Sequence, residues 1–386
     1  MKNGKLIHDS VHGTIQLDEW MIRIVDTPQF QRLRRIKQLG FADLVYPGAH
    51  HTRFEHSIGS MHVARHLTSD EIVLASSLLH DIGHTPFSHS GERIIQKYLR
   101  KRHEDVEYII RNSSVGDVLQ DLGLEIKKVV RAVKSPPVSS VIDVDRIDYL
   151  LRDSHHTGVA YGVVDFDRLI EKIRFDGERV FVEHGGVRAV ESFLISRYMM
   201  YSAVYHHHVC RIARKMFEKA VEFLIEKGEI EAKDLLKMDD YDVIALLRKS
   251  DDFPGEIALR LDQRRLFKRA VYAGRDEIGR SVERVNTEKA EREIAEMAGI
   301  ESENVIVDVP KEESIEYTIP VLIDSEFIPM ERISPLVSSL RQAQMSNWRL
   351  GVYCPLEYVE KVRKASIDYF GINLSEQKRL GDLLEL

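Results

Sequence analysis

From about residue 18 to residue 260 the apolar positions recur at helical spacing. Asp26-Thr27-Pro28 sets a capping residue ahead of a proline suited to a first turn, and predicts a helix through Gln38 that closes at Gly40. A second helix is predicted to start near Phe54, and a third to run over Ser69–Asp81, where Gly83 and Pro86 stop it. Further helices are expected over Gly91–Arg100, Glu104–Asn112, Leu124–Val133 and Ser140–Ser154. Ile173–Val182 alternates on both sides of Asp176-Gly177 and reads as a hairpin, followed by a long helix from about Val187 to Glu226. Beyond about Asp262 the texture changes. Short runs at Leu266–Ala273, Asn304–Val309, Tyr317–Ile323 and Trp348–Cys354 are interleaved with helical stretches at Thr287–Ala298, Pro335–Ala343 and Leu356–Phe370. The expectation is a mostly α protein, with a helical body over 1–262 that carries a short β-hairpin near 173–182, and a smaller C-terminal α+β unit over 263–386.

Composition narrows the class without naming a function. With 386 residues, 43% hydrophobic and 30% charged, the chain can bury more than one core. A net charge of −7 argues against a body built to coat nucleic acid, although it leaves room for a local basic site. Cys210 and Cys354 have no ligand spacing and fit a reducing cytosol. No apolar run approaches the roughly 20 residues that span a bilayer, and Met1–His8 lacks the apolar core of a signal peptide. A cytoplasmic protein without membrane attachment is expected. The unusual count is 17 histidines, many in short internal clusters.

Those histidines carry the candidate chemistry. His80-Asp81 ends an apolar helical stretch, His56 lies upstream in Arg53-Phe54-Glu55-His56, and Asp143, Asp145 and Asp148 follow downstream on one helix. Two imidazoles and two carboxylates from three segments suit a divalent metal site with positions left open for water. Adjacent residues on a helix point about 100° apart, so His80 and Asp81 reach one ion only if other helices supply ligands from the side. The plainer reading of the pair is a helix C-terminus satisfied by backbone. Gln31–Lys37 is locally basic, which an ordinary charged helix face explains equally well.

With these residues in view, the chain resembles the HD-domain phosphohydrolases, and among them the deoxynucleoside triphosphate (dNTP) triphosphohydrolases. The resemblance covers roughly residues 5 to 215. It rests on His8-Asp-Ser-Val-His12-Gly13, Asp26-Thr-Pro-Gln-Phe-Gln31-Arg-Leu-Arg34, Lys37-Gln38-Leu39-Gly40, Tyr46-Pro-Gly-Ala49, Arg53-Phe-Glu-His56, His80-Asp81-Ile-Gly-His84-Thr-Pro-Phe-Ser-His89 and Asp143-Val-Asp145-Arg146-Ile-Asp148-Tyr149-Leu-Leu-Arg152-Asp153. It implies an HD-domain helical bundle and hydrolysis of a dNTP to deoxynucleoside and tripolyphosphate. His56, His80, Asp81 and Asp145 match the metal ligands. His103, followed by Glu104, matches the general acid, and His84 and His89 match second-layer or phosphate-side histidines. Arg53, Arg146 and Arg197 match phosphate-facing cations; Arg146 stands where relatives often carry lysine. Gln38, Leu39, Tyr149 and Asp153 match positions around the sugar, and Tyr205 matches an aromatic that crowds C2′ and so selects deoxyribose. His206 falls where the vertebrate enzyme has glutamine near the base, which leaves base preference open. Lys5, Asp26, Gln31 and Arg34 match positions that hold an activating nucleotide between subunits.

The expected cofactors are one divalent transition metal (Mn, Fe, Zn, Ni or Co) and Mg carried by the substrate triphosphate. The expected partners are dNTP substrates, an activating nucleotide and further copies of the chain in a dimer or tetramer; nucleic acid is not favoured. The chain is read as starting at the catalytic module, with no appended domain before it. The alternatives are another HD-domain phosphohydrolase, acting as nucleotidase, phosphodiesterase or single-strand nuclease, and a binding module that keeps the fold without the chemistry.

Overall fold

The computed structural model describes residues 4–162, 164–279, 282, 285–310 and 318–373, apart from the side chains at 341 and 344–346. Tyr317, the first residue of one predicted run, lies outside the described residues, as do 1–3 and 374–386 of the two predicted units. The chain opens with an antiparallel hairpin, β1 (Lys5–Asp9) and β2 (Gly13–Leu17), in register from Lys5↔Leu17 to Asp9↔Gly13. Helices α1 (Glu19–Val25), α2 (Pro28–Arg32), α3 (Arg53–Leu67), α4 (Glu71–Leu79) and α5 (His89–Leu99) follow. After α6 (Glu107–Arg111), α7 (Ser114–Asp121) and α8 (Ile126–Val133) comes α9 (Val144–Thr157), which packs against α3.

Next come α10 (Phe166–Lys172), β3 (Ile173–Phe175), β4 (Val180–Glu183) and α11 (Val187–Met200). A π-helical turn at Tyr201–Tyr205 separates α11 from α12 (His208–Glu226), which leads to α13 (Asp240–Lys249) and α14 (Phe253–Asp262). The remainder contributes β5 (Lys268–Ala273), α15 (Thr287–Ala298), β6 (Ile306–Asp308), β7 (Pro320–Ile323), β8 (Glu326–Pro329), α16 (Met330–Ile333), α17 (Pro335–Ser346), β9 (Leu350–Cys354) and α18 (Val359–Phe370). The protein is mostly helical, with a small α+β unit around the sheet β5-β9-β6. A second sheet runs β3-β4-β7-β8, and its parallel β4–β7 pairing returns the segment 320–329 to the predicted hairpin.

Helix α3 packs against both α4 and α9. Thr52 donates its backbone N–H to the Glu55 carboxylate at 2.6 Å, which caps the start. Ser57, Gly59 and Ser60 are buried along the helix and allow α9 to come close. A Cβ on Gly59 would lie 1.9 Å from Asp148 Oδ1 and 2.4 Å from Arg152 Nη2. Helix α9 starts one residue after Asp143, whose carboxylate accepts the Arg146 N–H at 2.7 Å, and ends at Gly158 with φ +74°. No described helix is long and apolar enough to cross a membrane.

Local pattern misjudged several elements. The helix predicted through Gln38 ends at Arg32, passes through a 3-10 turn at Leu33–Arg35 and becomes extended at Ile36. Distant partners take the backbone there: Gln38 N–H donates to the His51 carbonyl, Arg53 N–H to the Ile36 carbonyl, and Lys37 N–H to Asp240. The long helix predicted from Val187 to Glu226 breaks at the π-helical turn, and His207 restarts it by accepting the Val209 N–H. The helix predicted from Glu104 begins only at Glu107, leaving His103 and Glu104 in a loop. The β1–β2 hairpin, β8 and the helices α1, α7, α10, α13, α14 and α16 were not individually anticipated.

Because Gly59 is the point where α9 meets α3, Gly59→Ala should lower unfolding free energy by about 1–3 kcal/mol, the usual cost of over-packing. A denaturation midpoint indistinguishable from the parent would show that α9 does not press on α3 there.

Candidate metal centre and the pocket around it

His56 from α3 and His80 and Asp81 from the end of α4 form one group, and Asp145 from the first turn of α9 approaches its two imidazoles. The ligand-capable atoms of His56, His80 and Asp81 all lie within 4.8 Å of one another. The two Nε2 atoms are 3.2 Å apart, and Asp81 Oδ2 is 3.5 Å from His56 Nε2. Asp145 Oδ1 approaches at 3.0 Å from His56 Nε2 and 3.7 Å from His80 Nε2. Donors about 2.1 Å from a common ion stand roughly 3.0–3.4 Å apart when adjacent, and the observed separations centre on that range.

The outer nitrogens decide what the inner ones can do. His56 Nδ1 donates to Asp148 Oδ2 at 2.7 Å, and His80 Nδ1 to the Ser77 carbonyl at 2.7 Å. Both Nε2 lone pairs are thereby turned inward, as metal-ligating imidazoles require. Burial disfavours a charged ring at His56, yet Asp145, Asp148 and Asp81 overcome it and raise its pKa to about 10. Asp81 is held well below the usual carboxylate range, where Arg53 and His80 outweigh burial. Asp145 is depressed in the same way, against burial, by the hydrogen bonds of His56 and His80. With Asp145 beside His56, His80 and Asp81, the N2O2 donor set fits a divalent transition ion.

The geometry separates the three carboxylates of α9. Asp143 caps the helix and pairs with Arg146. Asp148 has no exposed side-chain surface and serves the far side of His56, together with His12 Nε2 at 2.6 Å and both arms of Arg152. Only Asp145 faces the two Nε2 atoms.

Beside the centre stands a histidine trio. His84 and His103 stack at 4.1 Å between ring centroids, and His89 meets His84 edge-on at 5.0 Å. The carboxylate next to His103 in space is Glu92, not its chain neighbour: Glu92 accepts His103 Nδ1 at 2.7 Å and His89 Nδ1 at 2.8 Å, whereas Glu104 is 4.0 Å from His103 Nε2. Burial works against a charged His103, but Glu92 prevails and raises its pKa. The sequence clue to Glu92 was its position three residues after His89 on one helix.

Arg53 is buried, donating to Asp81 at 2.8 Å, Ser88 at 2.8 Å and the Gln38 carbonyl. Gln38 Oε1, Arg146 Nε, and Arg197 Nε and Nη1 are buried without a hydrogen-bond partner among the described residues. Arg146 interacts with Tyr149 and Asp145, and Arg197 with Tyr149, Tyr201 and Arg146. Leu39 is partly buried against the main core. Tyr205 donates its hydroxyl to Asp153 at 2.7 Å, and Asp153 also holds His51 at 2.7 Å. Tyr149, Tyr201 and Tyr205 form an edge-to-face aromatic group, with His206 against Tyr201 at 5.5 Å. Tyr201 was not singled out from the sequence, because the π-helical turn that presents it leaves no periodic signature.

The four positions read as a regulatory site form two linked pairs. Lys5 and Asp26 are 3.9 Å apart and largely exposed. Gln31 donates to the Val25 carbonyl and accepts from Arg34, whose guanidinium lies 3.4 Å from the centroid of the Phe54 ring.

Comparison with known proteins places this geometry in a family. Residues 53–153 match the HD domain and residues 164–380 the HD associated region. An uncharacterized protein of Methanocaldococcus jannaschii is 34% identical over 380 residues, covering 94% of this chain and 82% of its own. The deoxynucleoside triphosphate triphosphohydrolase SAMHD1 homolog of Dictyostelium discoideum is 31% identical over 62% of this chain and 51% of its own. SAMHD1 of Homo sapiens is 31% identical over 61% and 45%. The chain thus spans about half the length of these two enzymes. A crystal structure of a hypothetical protein from Aquifex aeolicus superposes with a TM-score of 0.74 at 32% identity, covering 94% of this chain and all of that one. The chain belongs to the HD-domain phosphohydrolase superfamily, whose HD domain binds a divalent metal.

Proposed function

We propose that this phosphohydrolase is a dNTP triphosphohydrolase, cleaving a dNTP at the α-phosphorus to release deoxynucleoside and tripolyphosphate. The observation that carries the reading is the unpartnered, buried guanidinium nitrogen of Arg146 and the two of Arg197, grouped with Tyr149 one helix turn from Asp145. Buried cationic N–H groups without acceptors are costly unless an anion completes them, and forked donors suit phosphate oxygens. The two triphosphohydrolase relatives point the same way.

His56, His80, Asp81 and Asp145 would hold the metal, which supplies Lewis acidity and a nucleophilic water when bound. Arg53, Arg146 and Arg197 neutralise the triphosphate, with Mg riding on it. As the bond from phosphorus to the 5′ oxygen breaks, His103 passes a proton to that oxygen. Glu92 keeps His103 protonated until then, and His84 and His89 line the same side. Glu104 stands near His103 without touching it. Gln38 and Asp153 receive the 3′-hydroxyl, Leu39 and Tyr149 flank the sugar, and the Tyr205 ring, tethered to Asp153, closes off C2′. His206 sits toward the base. Lys5, Asp26, Gln31 and Arg34 are the proposed activator site between copies of the chain, and 263–386 supports assembly.

Incubation of the full chain with each dNTP and NTP under several metals should yield deoxynucleoside and tripolyphosphate in equal amounts from dNTPs and leave NTPs largely intact. Intact dNTPs alongside orthophosphate from monophosphates would replace this reading with a nucleotidase. Asp148→Asn should weaken metal binding about 10- to 100-fold, since His56 loses its charged orienting acceptor, and should also lower stability, since buried Arg152 loses a counter-charge; unchanged affinity in a metal titration would remove Asp148 from the site. His103 must be protonated to act, and its raised pKa keeps it so above its ordinary range. Glu92→Gln removes that support, so the alkaline limb of the kcat–pH profile should move to lower pH. A limb that stays in place would exclude His103 as the acid or Glu92 as its support.

A further inference from the structure

We propose that His62 and His66 of α3 form a surface site for one divalent ion of the nitrogen-preferring class, such as zinc, with Asp167 of α10 as its third ligand. The two histidines stand four residues apart near the end of the helix, so their rings share one face. Their Nε2 atoms are 3.4 Å apart, while the ring centroids are 5.0 Å apart and the ring planes cross at 88°. The nitrogens therefore sit between the ring centres and turn toward one gap. Two nitrogens about 2.1 Å from one ion at the tetrahedral angle stand roughly 3.4 Å apart, with ring centroids roughly 5.3 Å apart. A good hydrogen bond would draw the two atoms closer, to about 2.7–3.2 Å.

The pair is ready for a cation because it carries no charge of its own. Burial, and after it the rings of His12 and His66, lower the pKa of His62 to about 4. Burial and His12 also lower that of His66, against the pull of Asp167. Both rings are thus neutral at neutral pH, and each keeps a lone pair for a metal. The helix is pinned beneath them: Met61, Val63 and Ala64 are buried, and Arg65 donates to the Gln16 carbonyl and to Asp18. His62 rests against His12 at 5.1 Å between centroids, and His66 meets Phe166 of α10 edge-on at 6.1 Å. Ligands held in this way lose little freedom on binding. His66 is exposed, which gives the ion a path, and Asp167 is exposed beside Phe166, free to swing its carboxylate onto the ion. Magnesium and calcium prefer oxygen donors and fit two imidazoles poorly. The site uses none of the ligands of the catalytic centre. Its two histidines belong to the HD domain and Asp167 to the HD associated region, so a bound ion fastens one to the other.

The test is equilibrium dialysis of the full chain against low-micromolar zinc with elemental analysis, paired with thermal denaturation. The parent should hold one more zinc per chain than His66→Gln, with circular dichroism reporting an intact fold in both. His155→Gln, which removes an exposed histidine outside the pair, should match the parent. Zinc should raise the unfolding midpoint of the parent further than that of His66→Gln, because the additional ion binds the folded chain. Asp167→Asn should weaken that ion at least about 10-fold. Equal zinc counts in the parent and His66→Gln, or equal midpoint shifts, overturn the site. Unchanged affinity in Asp167→Asn overturns the tie to α10. Because the ion count needs no substrate, a failure of the triphosphohydrolase reading would be seen separately, as intact dNTPs with the additional ion still bound.

Discussion

The carboxylate of Asp148 is buried among Arg152, His12 and His56, and the catalytic half of the protein is organised by it. Arg152 donates Nε and Nη2 to it at 2.9 Å each, and reaches on through Nη1 to Asp9 in the turn of the β1–β2 hairpin. A carboxylate removed from water this completely is tolerable only when paired and hydrogen-bonded on every side. Burial opposes its charge, and Arg152, His12 and His56 together hold it ionised, well below the usual carboxylate range. Through this one group the N-terminal hairpin, α3 and α9 are brought into a common register, and Gly59 is the residue whose missing side chain leaves space for it.

That arrangement explains how two imidazoles come to face each other across an electronegative point. Left to themselves, two buried histidines would each seek a donor and an acceptor. Here Asp148 and the Ser77 carbonyl occupy the outer nitrogens, and the inner ones are left to Asp81, Asp145 and a cation. Glu92 applies the same device twice more, to His89 and His103, a few ångströms away. The pocket therefore has two poles. Carboxylates gather around the imidazoles, while Arg146 and Arg197 present N–H groups that no atom of the described residues accepts. A polyanionic ester bound to a divalent cation has the complementary charge pattern.

The C-terminal chain is less detached from this machinery than its composition suggests. Strand β7 adds in parallel to β4, and Asn347 donates to Tyr198 of α11 at 3.1 Å and to Ser202 of the π-helical turn at 2.9 Å. Arg211 on α12 is buried against Asp308 of β6. The turn is thus braced by residues far along the chain.

Much was legible from the amino-acid order alone. Helical periodicity, the Thr27-Pro28 start, the Asp176-Gly177 hairpin and the change of texture past Asp262 reflect local physics, each encoded within a few residues. The candidate chemistry at His56 and His80-Asp81 was also visible in the residue types and their spacing, and Asp145 was added by the family resemblance. Choosing among Asp143, Asp145 and Asp148 was beyond local reasoning, since three carboxylates on one helix differ only in what packs against each. The same holds for Glu92 in place of Glu104 as the partner of His103, for the unwinding at Ile36 and for the π-helical turn. In every one of these cases the deciding partner lies outside the reach of periodicity, and the burial that makes the contact strong exists only once distant helices have closed over it.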